Sequence, residues 1–181
     1  MYTEKSMLGY FILFFVLGVI SSVKMLYDYN KKGRLTLTGS IILLIWFCEH
    51  GIILDYSSYN SIYQHPDNML LKVFGIILIV FGLGVMVLGM VNFGKFTRTM
   101  GTDTKKLITG GLYRFTRNPQ YVGYGIAIIG FNIAWYTFLS VIVLITYFIM
   151  IYITILIEEK NLLRIYGKEF EEFCTKSPRF I

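Results

Sequence analysis

Met69–Val91 reads MLLKVFGIILIVFGLGVMVLGMV, an apolar run broken by a single charge at Lys72. A hydrocarbon core of about 30 Å takes roughly 20 residues of helix, since lipid cannot satisfy the backbone polar groups of any looser conformation. This stretch therefore reads as a membrane span. Within it Gly75, Gly82 and Gly89 recur every seventh residue, which stacks them on one helix face and permits close approach by a neighbouring backbone. Gly82-x-Gly84 is no nucleotide loop, because it lies inside an apolar helix with no strand before it.

Comparable runs flank it at Met7–Tyr27, Leu35–Leu54, Tyr121–Tyr136 and Phe138–Ile157. The chain is 55% hydrophobic and 15% charged, with a mean hydropathy of +0.61, too apolar for an ordinary soluble domain. The pattern predicts an all-α integral membrane protein of about five transmembrane helices, with residues 1–181 forming one multi-pass domain. The fourth run is short and needs the Asn118-Pro119 region or local bilayer thinning to span. Its Gly123, Ala127, Gly130 and Ala134 repeat the small-residue pattern of the third. The first run follows Lys5 without a small-x-small cleavage site, so it is expected to be a retained helix.

Charge gives the expected orientation. Lys24, Lys31, Lys32 and Arg34 follow the first run, Lys95, Arg98, Lys105, Lys106, Arg114 and Arg117 follow the third, and Lys160, Arg164, Lys168, Lys176 and Arg179 follow the fifth. Only Lys5 and Lys72 fall on the other side, so the positive-inside rule predicts N-out, C-in. The net charge of +6 is then a matter of topology and anionic headgroups rather than nucleic acid. Cys48 and Cys174 are expected as separate free thiols, with no metal pair. Tyr56, Tyr59 and Tyr63 suit an aromatic belt at the outer interface. Two segments remain for the inner face, Asn92–Asn118 and Glu158–Ile181. The latter is expected to hold a short helix over Asn161–Tyr166 stopped by Gly167, then a second bringing Phe170 and Phe173 together before Pro178.

Helical rise joins the two polar clusters. About 27 Å of helix from Pro119 to Tyr136 and about 30 Å from Phe138 to Ile157 return Glu158 and Glu159 to the depth of Arg117. A salt bridge tying the ends of a hairpin is one reading. Arg114, Arg117, Tyr113, Asn118, Tyr121, Glu158 and Glu159 nevertheless supply more donors and acceptors than one strut uses. Asn118 can cap the fourth helix and Pro119 suits its first turn, where unpaired backbone N–H groups favour an anion.

Gly111-x-Tyr113-Arg114-x-x-Arg117-Asn118-Pro119-x-Tyr121-x-Gly123, the hydrophobic hairpin, Glu158-Glu159-x-x-Leu162-x-x-x-Tyr166-Gly167-x-x-Phe170 and the terminal Pro178-Arg179 resemble the isoprenylcysteine carboxyl methyltransferase family, within a wider group that includes the phospholipid methyltransferases. The resemblance is specific over Leu107–Ile181; before that only the pattern of spans agrees. Many members have His where this chain has Asn118, and an aromatic, often Tyr, where it has Phe173. The resemblance implies a membrane enzyme that takes S-adenosyl-L-methionine from the cytosol and methylates a lipophilic acceptor entering from the bilayer; the expected location is a bacterial cell membrane with the site facing the cytosol. It also implies a cofactor set of Tyr113, Asn118, Pro119, Tyr121 and Glu158, with Glu158 on the cofactor's ammonium group and Arg117 and Glu159 at the reaction centre. A carboxylate acceptor is already nucleophilic and could be oriented by paired hydrogen bonds from Arg117; an amine would first have to lose a proton.

The acceptor is open between a prenylcysteine-like carboxylate and a phospholipid amine. A sterol-type reductase using NADPH shares a related C-terminal pattern, and a non-enzymatic scaffold or transport subunit centred on Glu49 and His50 is a further alternative. Those two residues lie late in the second run, where an interhelical hydrogen bond or an acceptor contact would account for them. His65 is expected to be solvated. No spacing supports a metal site or an acyl transferase.

Overall fold

The computed structural model describes residues 4–61, 68–92 and 106–181. Among the described residues six α-helices follow in chain order: α1 (Glu4–Lys32), α2 (Leu37–Ser61), α3 (Met69–Asn92), α4 (Pro119–Ala134), α5 (Phe138–Tyr166) and α6 (Lys168–Lys176). A 3-10 turn, Gly111–Arg114, precedes α4. Four of the helices, α1, α2, α3 and α5, are long and apolar enough to cross a membrane. The α4 helix has 16 residues, about 24 Å, and is shorter than a hydrocarbon core. The expected fourth run is also displaced, starting at Pro119 and ending at Ala134, with Trp135 and Tyr136 in the turn to α5.

α3 and α4 pack antiparallel with their backbones in contact. A Cβ added at Gly82 would lie 2.5 Å from the Gly123 carbonyl oxygen, and one at Gly123 would lie 2.4 Å from the Met86 nitrogen. The two small-residue stripes predicted separately from sequence thus face each other. Gly89, at the other end of the contact, lies against Pro119 and Gln120, so this packing sets the position of the α4 entry.

A second interface joins α1, α2, α4 and α5 around Phe14, Trp46, Tyr121, Ile128, Tyr147 and Ile155. His50 is fully buried there, stacked between Phe14 at 5.2 Å and Tyr147 at 5.5 Å. Its Nδ1 lies 2.9 Å from the Tyr124 hydroxyl, the interhelical hydrogen bond expected of this residue. The Tyr147 hydroxyl donates to the Tyr121 carbonyl at 2.9 Å, fixing the α4–α5 register. Thr137 starts α5 with a capping box, its side chain accepting from the Ser140 N–H at 3.0 Å while Ser140 Oγ accepts from the Thr137 N–H at 3.0 Å.

The expected separate helix over Asn161–Tyr166 is instead the end of α5. Glu158, Glu159 and Lys160 favour helix and nothing interrupts them until Gly167, whose φ of +53° suits glycine. The extension reaches the α1–α2 turn, where Asn161 Nδ2 donates to the Gly33 carbonyl at 3.1 Å and Arg164 donates to the Tyr29 carbonyl. At that turn Asp28 is ion-paired with Lys24 and accepts the Thr36 N–H at 3.0 Å. The Phe170–Phe173 pair forms as expected, with ring centroids 6.3 Å apart, and packs on Leu107 and Tyr113. Tyr59, Tyr63 and His65 of the outer loop, and Lys95, Arg98 and Lys105 of the inner one, lie outside the described residues or side chains.

Candidate active site

The α4–α5 hairpin brings its two polar clusters together, as the rise arithmetic requires. Arg117 Nε and Nη2 donate to Glu159 Oε1 at 3.1 and 2.9 Å. Arg179 Nε and Nη2 donate to the other oxygen, Oε2, at 3.0 and 2.7 Å. Two guanidinium groups therefore neutralise one carboxylate, and the hydrogen bond to Glu159 is the main reason the Arg179 pKa is raised.

Arg117 is further committed. Its Nη1 donates to the carbonyls of Ser177 at 2.7 Å and Cys174 at 3.3 Å, so four of its five N–H groups serve the fold. The paired hydrogen bonds expected from Arg117 to an acceptor have no second free N–H to make them. The C-terminal tail is tied to the same segment by backbone and side chain: the Arg117 N–H donates to the Pro178 carbonyl at 2.9 Å, and Asn118 Nδ2 donates to the Arg179 carbonyl at 3.0 Å. Asn118 precedes α4 without capping it through its side chain, because that side chain holds the tail. Pro119 occupies the first turn as expected and is buried.

Glu158 is treated differently. Its Oε1 accepts the Tyr121 hydroxyl at 2.9 Å, and among the described residues no cation pairs with it. The hydroxyl of Tyr113, rooted in the 3-10 turn, donates to Gln120 Oε1 at 2.6 Å. Burial, with a lesser contribution from the Glu158 charge, pushes the Tyr113 hydroxyl well above its ordinary range, so it stays a donor. Arg114 is exposed and contributes its carbonyl, which accepts from Ser177 Oγ at 3.2 Å, rather than its charge.

Gln120 and Tyr121 also border a cavity of about 280 Å³ between α2 and the α3–α4 pair, lined further by Leu44, Cys48, Met86 and Tyr124. Sequence reasoning missed Gln120 and Arg179 as site residues. Arg179 had a signal in the Pro178-Arg179 pair; Gln120 had none, as its role depends on the turn that aims Tyr113 at it. Glu49 has both carboxylate oxygens buried without a hydrogen-bond partner among the described residues. No group of three or more His, Cys, Asp or Glu able to hold a metal occurs among the described residues.

Apolar membrane-length helices with a charged cluster at one end fit an integral membrane protein. A family model described as phospholipid methyltransferase matches residues 70–169. More than half of the chain is covered, and the protein belongs to that family of membrane methyltransferases. No curated protein and no solved structure matches it. The match spans the α3–α4 contact, the Arg117-Asn118-Pro119 entry and both glutamates, and it favours methyl transfer over the reductase and scaffold alternatives.

Proposed function

We propose that the protein transfers a methyl group from S-adenosylmethionine to a lipophilic acceptor drawn from the bilayer, with the site on the cytosolic face. The observation that carries this reading is the contrast between the two glutamates. Glu159 is neutralised by Arg117 and Arg179, whereas Glu158 accepts the Tyr121 hydroxyl and meets no cation among the described residues, and Tyr121 in turn lines an apolar cavity. A carboxylate that no cation among the described residues pairs with fits the ammonium group of the cofactor. Tyr113, Asn118, Pro119 and Tyr121 would form the surrounding wall.

When bound, the cofactor supplies a methyl group activated by its sulfonium, which an acceptor lone pair displaces in line. The protein's part is to bind, align and exclude water. Arg117, Glu159 and Arg179 fix the relative position of α4, α5 and the tail, so Arg117 and Glu159 act as positioning residues for the reaction centre. Gln120 uses its carbonyl for Tyr113 and lines the cavity, and its amide N–H groups would be donors suited to an acceptor carboxylate such as that of a prenylcysteine or a related lipid-like acid. The family match supports a second reading, a phospholipid amine, for which Glu158 would take the proton lost on methylation.

Methyl transfer from labelled S-adenosylmethionine, with a lipophilic carboxylate and a phospholipid amine offered separately, tests the proposal. Label is expected in the carboxylate product. Label only in the amine would select the second reading, and failure of S-adenosylhomocysteine to bind the purified protein would overturn both.

A further inference from the structure

The family match begins at residue 70 and leaves out α1, yet α1 brings a further polar group to the same site. α1 and α5 run side by side in the same direction: a Cβ added at Gly18 would lie 3.5 Å from Met150 Cγ, and further along both helices Asn161 Nδ2 donates to the Gly33 carbonyl at 3.1 Å. Tyr29 lies one turn before Gly33, and Glu158 lies about one turn before Asn161. Residues three and four apart share a helix face, so Tyr29 and Glu158 stand at one depth where the two helices meet. Packing agrees, since Ile157, the chain neighbour of Glu158, lies against the cluster that Tyr29 forms with Met25 and Leu35. The charge of Glu158 acts on the Tyr29 hydroxyl as it does on that of Tyr121.

Tyr121 donates to Glu158 Oε1 at 2.9 Å, whereas neither Glu158 Oε2 nor the Tyr29 hydroxyl has a hydrogen-bond partner among the described residues. Neither atom is sealed in. The enclosed side-chain atoms left unpaired there belong to Trp46, Glu49, His50 and Asn132, so the Tyr29 hydroxyl keeps accessible surface although the residue is 6% exposed. An open donor and an open acceptor thus stand near each other without pairing. Resting on the methyltransferase reading, we infer that Tyr29 binds the amino-acid end of the cofactor: Glu158 takes its ammonium, and the Tyr29 O–H donates to its carboxylate. Those two ligand groups sit on one carbon, so adjoining partners of opposite kind suit them. An ammonium by itself would use Glu158 and leave the Tyr29 donor to water. Tyr29 is held in place for this, because its carbonyl accepts from Arg164 and its ring is fixed in the α1–α5 packing.

The test compares two ligands by calorimetry on the full-length protein in phosphatidylcholine nanodiscs: S-adenosylhomocysteine and its decarboxylated form, which keeps the ammonium and lacks the carboxylate. Native protein is expected to bind S-adenosylhomocysteine about tenfold or more tightly than the decarboxylated ligand, the value of one hydrogen bond to a charged group. Tyr29→Phe should remove that advantage by weakening S-adenosylhomocysteine about tenfold or more, and should leave the decarboxylated ligand within about twofold of its native affinity. That retained ligand also shows the variant to be folded. Tyr27→Phe, at an exposed position on the same helix, should change neither. Equal affinity of native protein for the two ligands, a measurement that needs no variant, would overturn the inference and leave the methyltransferase reading in place. A preference for S-adenosylhomocysteine surviving in Tyr29→Phe, or an equal loss of both ligands there, which would make the hydroxyl a support for Glu158, would do the same. Failure of native protein to bind either ligand removes the reading and the inference with it.

Discussion

Glu158 and Glu159 are chain neighbours separated by about 100° of helical rotation, so one faces the α4 tyrosines and the other the C-terminal tail. Their environments predict different failures. Glu158→Gln retains the size and the Tyr121 contact but removes the charge, and should weaken S-adenosylhomocysteine binding by about 1.5–3 kcal/mol in calorimetry while the apo protein unfolds near its usual temperature. Glu159→Gln should do the reverse in order, lowering thermal stability first, because Arg117 and Arg179 lose their shared counter-charge. Equal effects of the two variants on apo stability would remove the distinction. Arg117→Lys keeps a positive charge, yet a single ammonium cannot span Glu159 and the carbonyls of Cys174 and Ser177. It should cost about 1–3 kcal/mol of stability, with turnover falling in step. Lost turnover at unchanged stability would instead assign Arg117 to the acceptor.

At the scale of elements, the α3–α4 contact has no space at its centre. Gly82→Leu would place carbon 2.5 Å from a backbone oxygen, and backbone cannot move aside as a side chain can. A loss of about 1–3 kcal/mol or more is expected in thermal unfolding, with S-adenosylhomocysteine affinity reduced too, since the same packing places Pro119 and Gln120. Gly84→Leu, where an added Cβ meets nothing within 4 Å, is the control and should be near neutral. Both glycine stripes were legible in sequence because a seven-residue period maps to one helix face. Their mutual pairing was not, since period gives a face and not its partner. The return of the glutamates to Arg117 was legible from rise per residue alone. Which glutamate meets which arginine depends on how the hairpin is rotated, and that is decided by contacts remote in sequence such as Tyr147 to Tyr121. The continuous α5 was missed because a change from apolar to charged residues at Ile157 looks like a boundary, although only Gly167 breaks the backbone pattern.

For the whole molecule, charge asymmetry and the site together predict which compartment the tail faces. The tail is bound to the α4 entry through the Pro178 and Arg179 carbonyls, so the tail, the α4 entry and both glutamates must share one side of the membrane. Lys and Arg gather at that end, which the positive-inside rule assigns to the cytosol. Cys174, on α6 and partly exposed, reports the side directly, while Cys48 sits within the α2 span. Burial pushes the Cys174 thiol up, so little thiolate exists at neutral pH and labelling should accelerate as pH rises through its elevated value. A charged, membrane-impermeant thiol reagent at alkaline pH, applied to a Cys48→Ser variant, should leave sealed right-side-out vesicles unlabelled and label inverted ones. Labelling of right-side-out vesicles would turn the site to the opposite compartment, where no cytosolic cofactor could reach it.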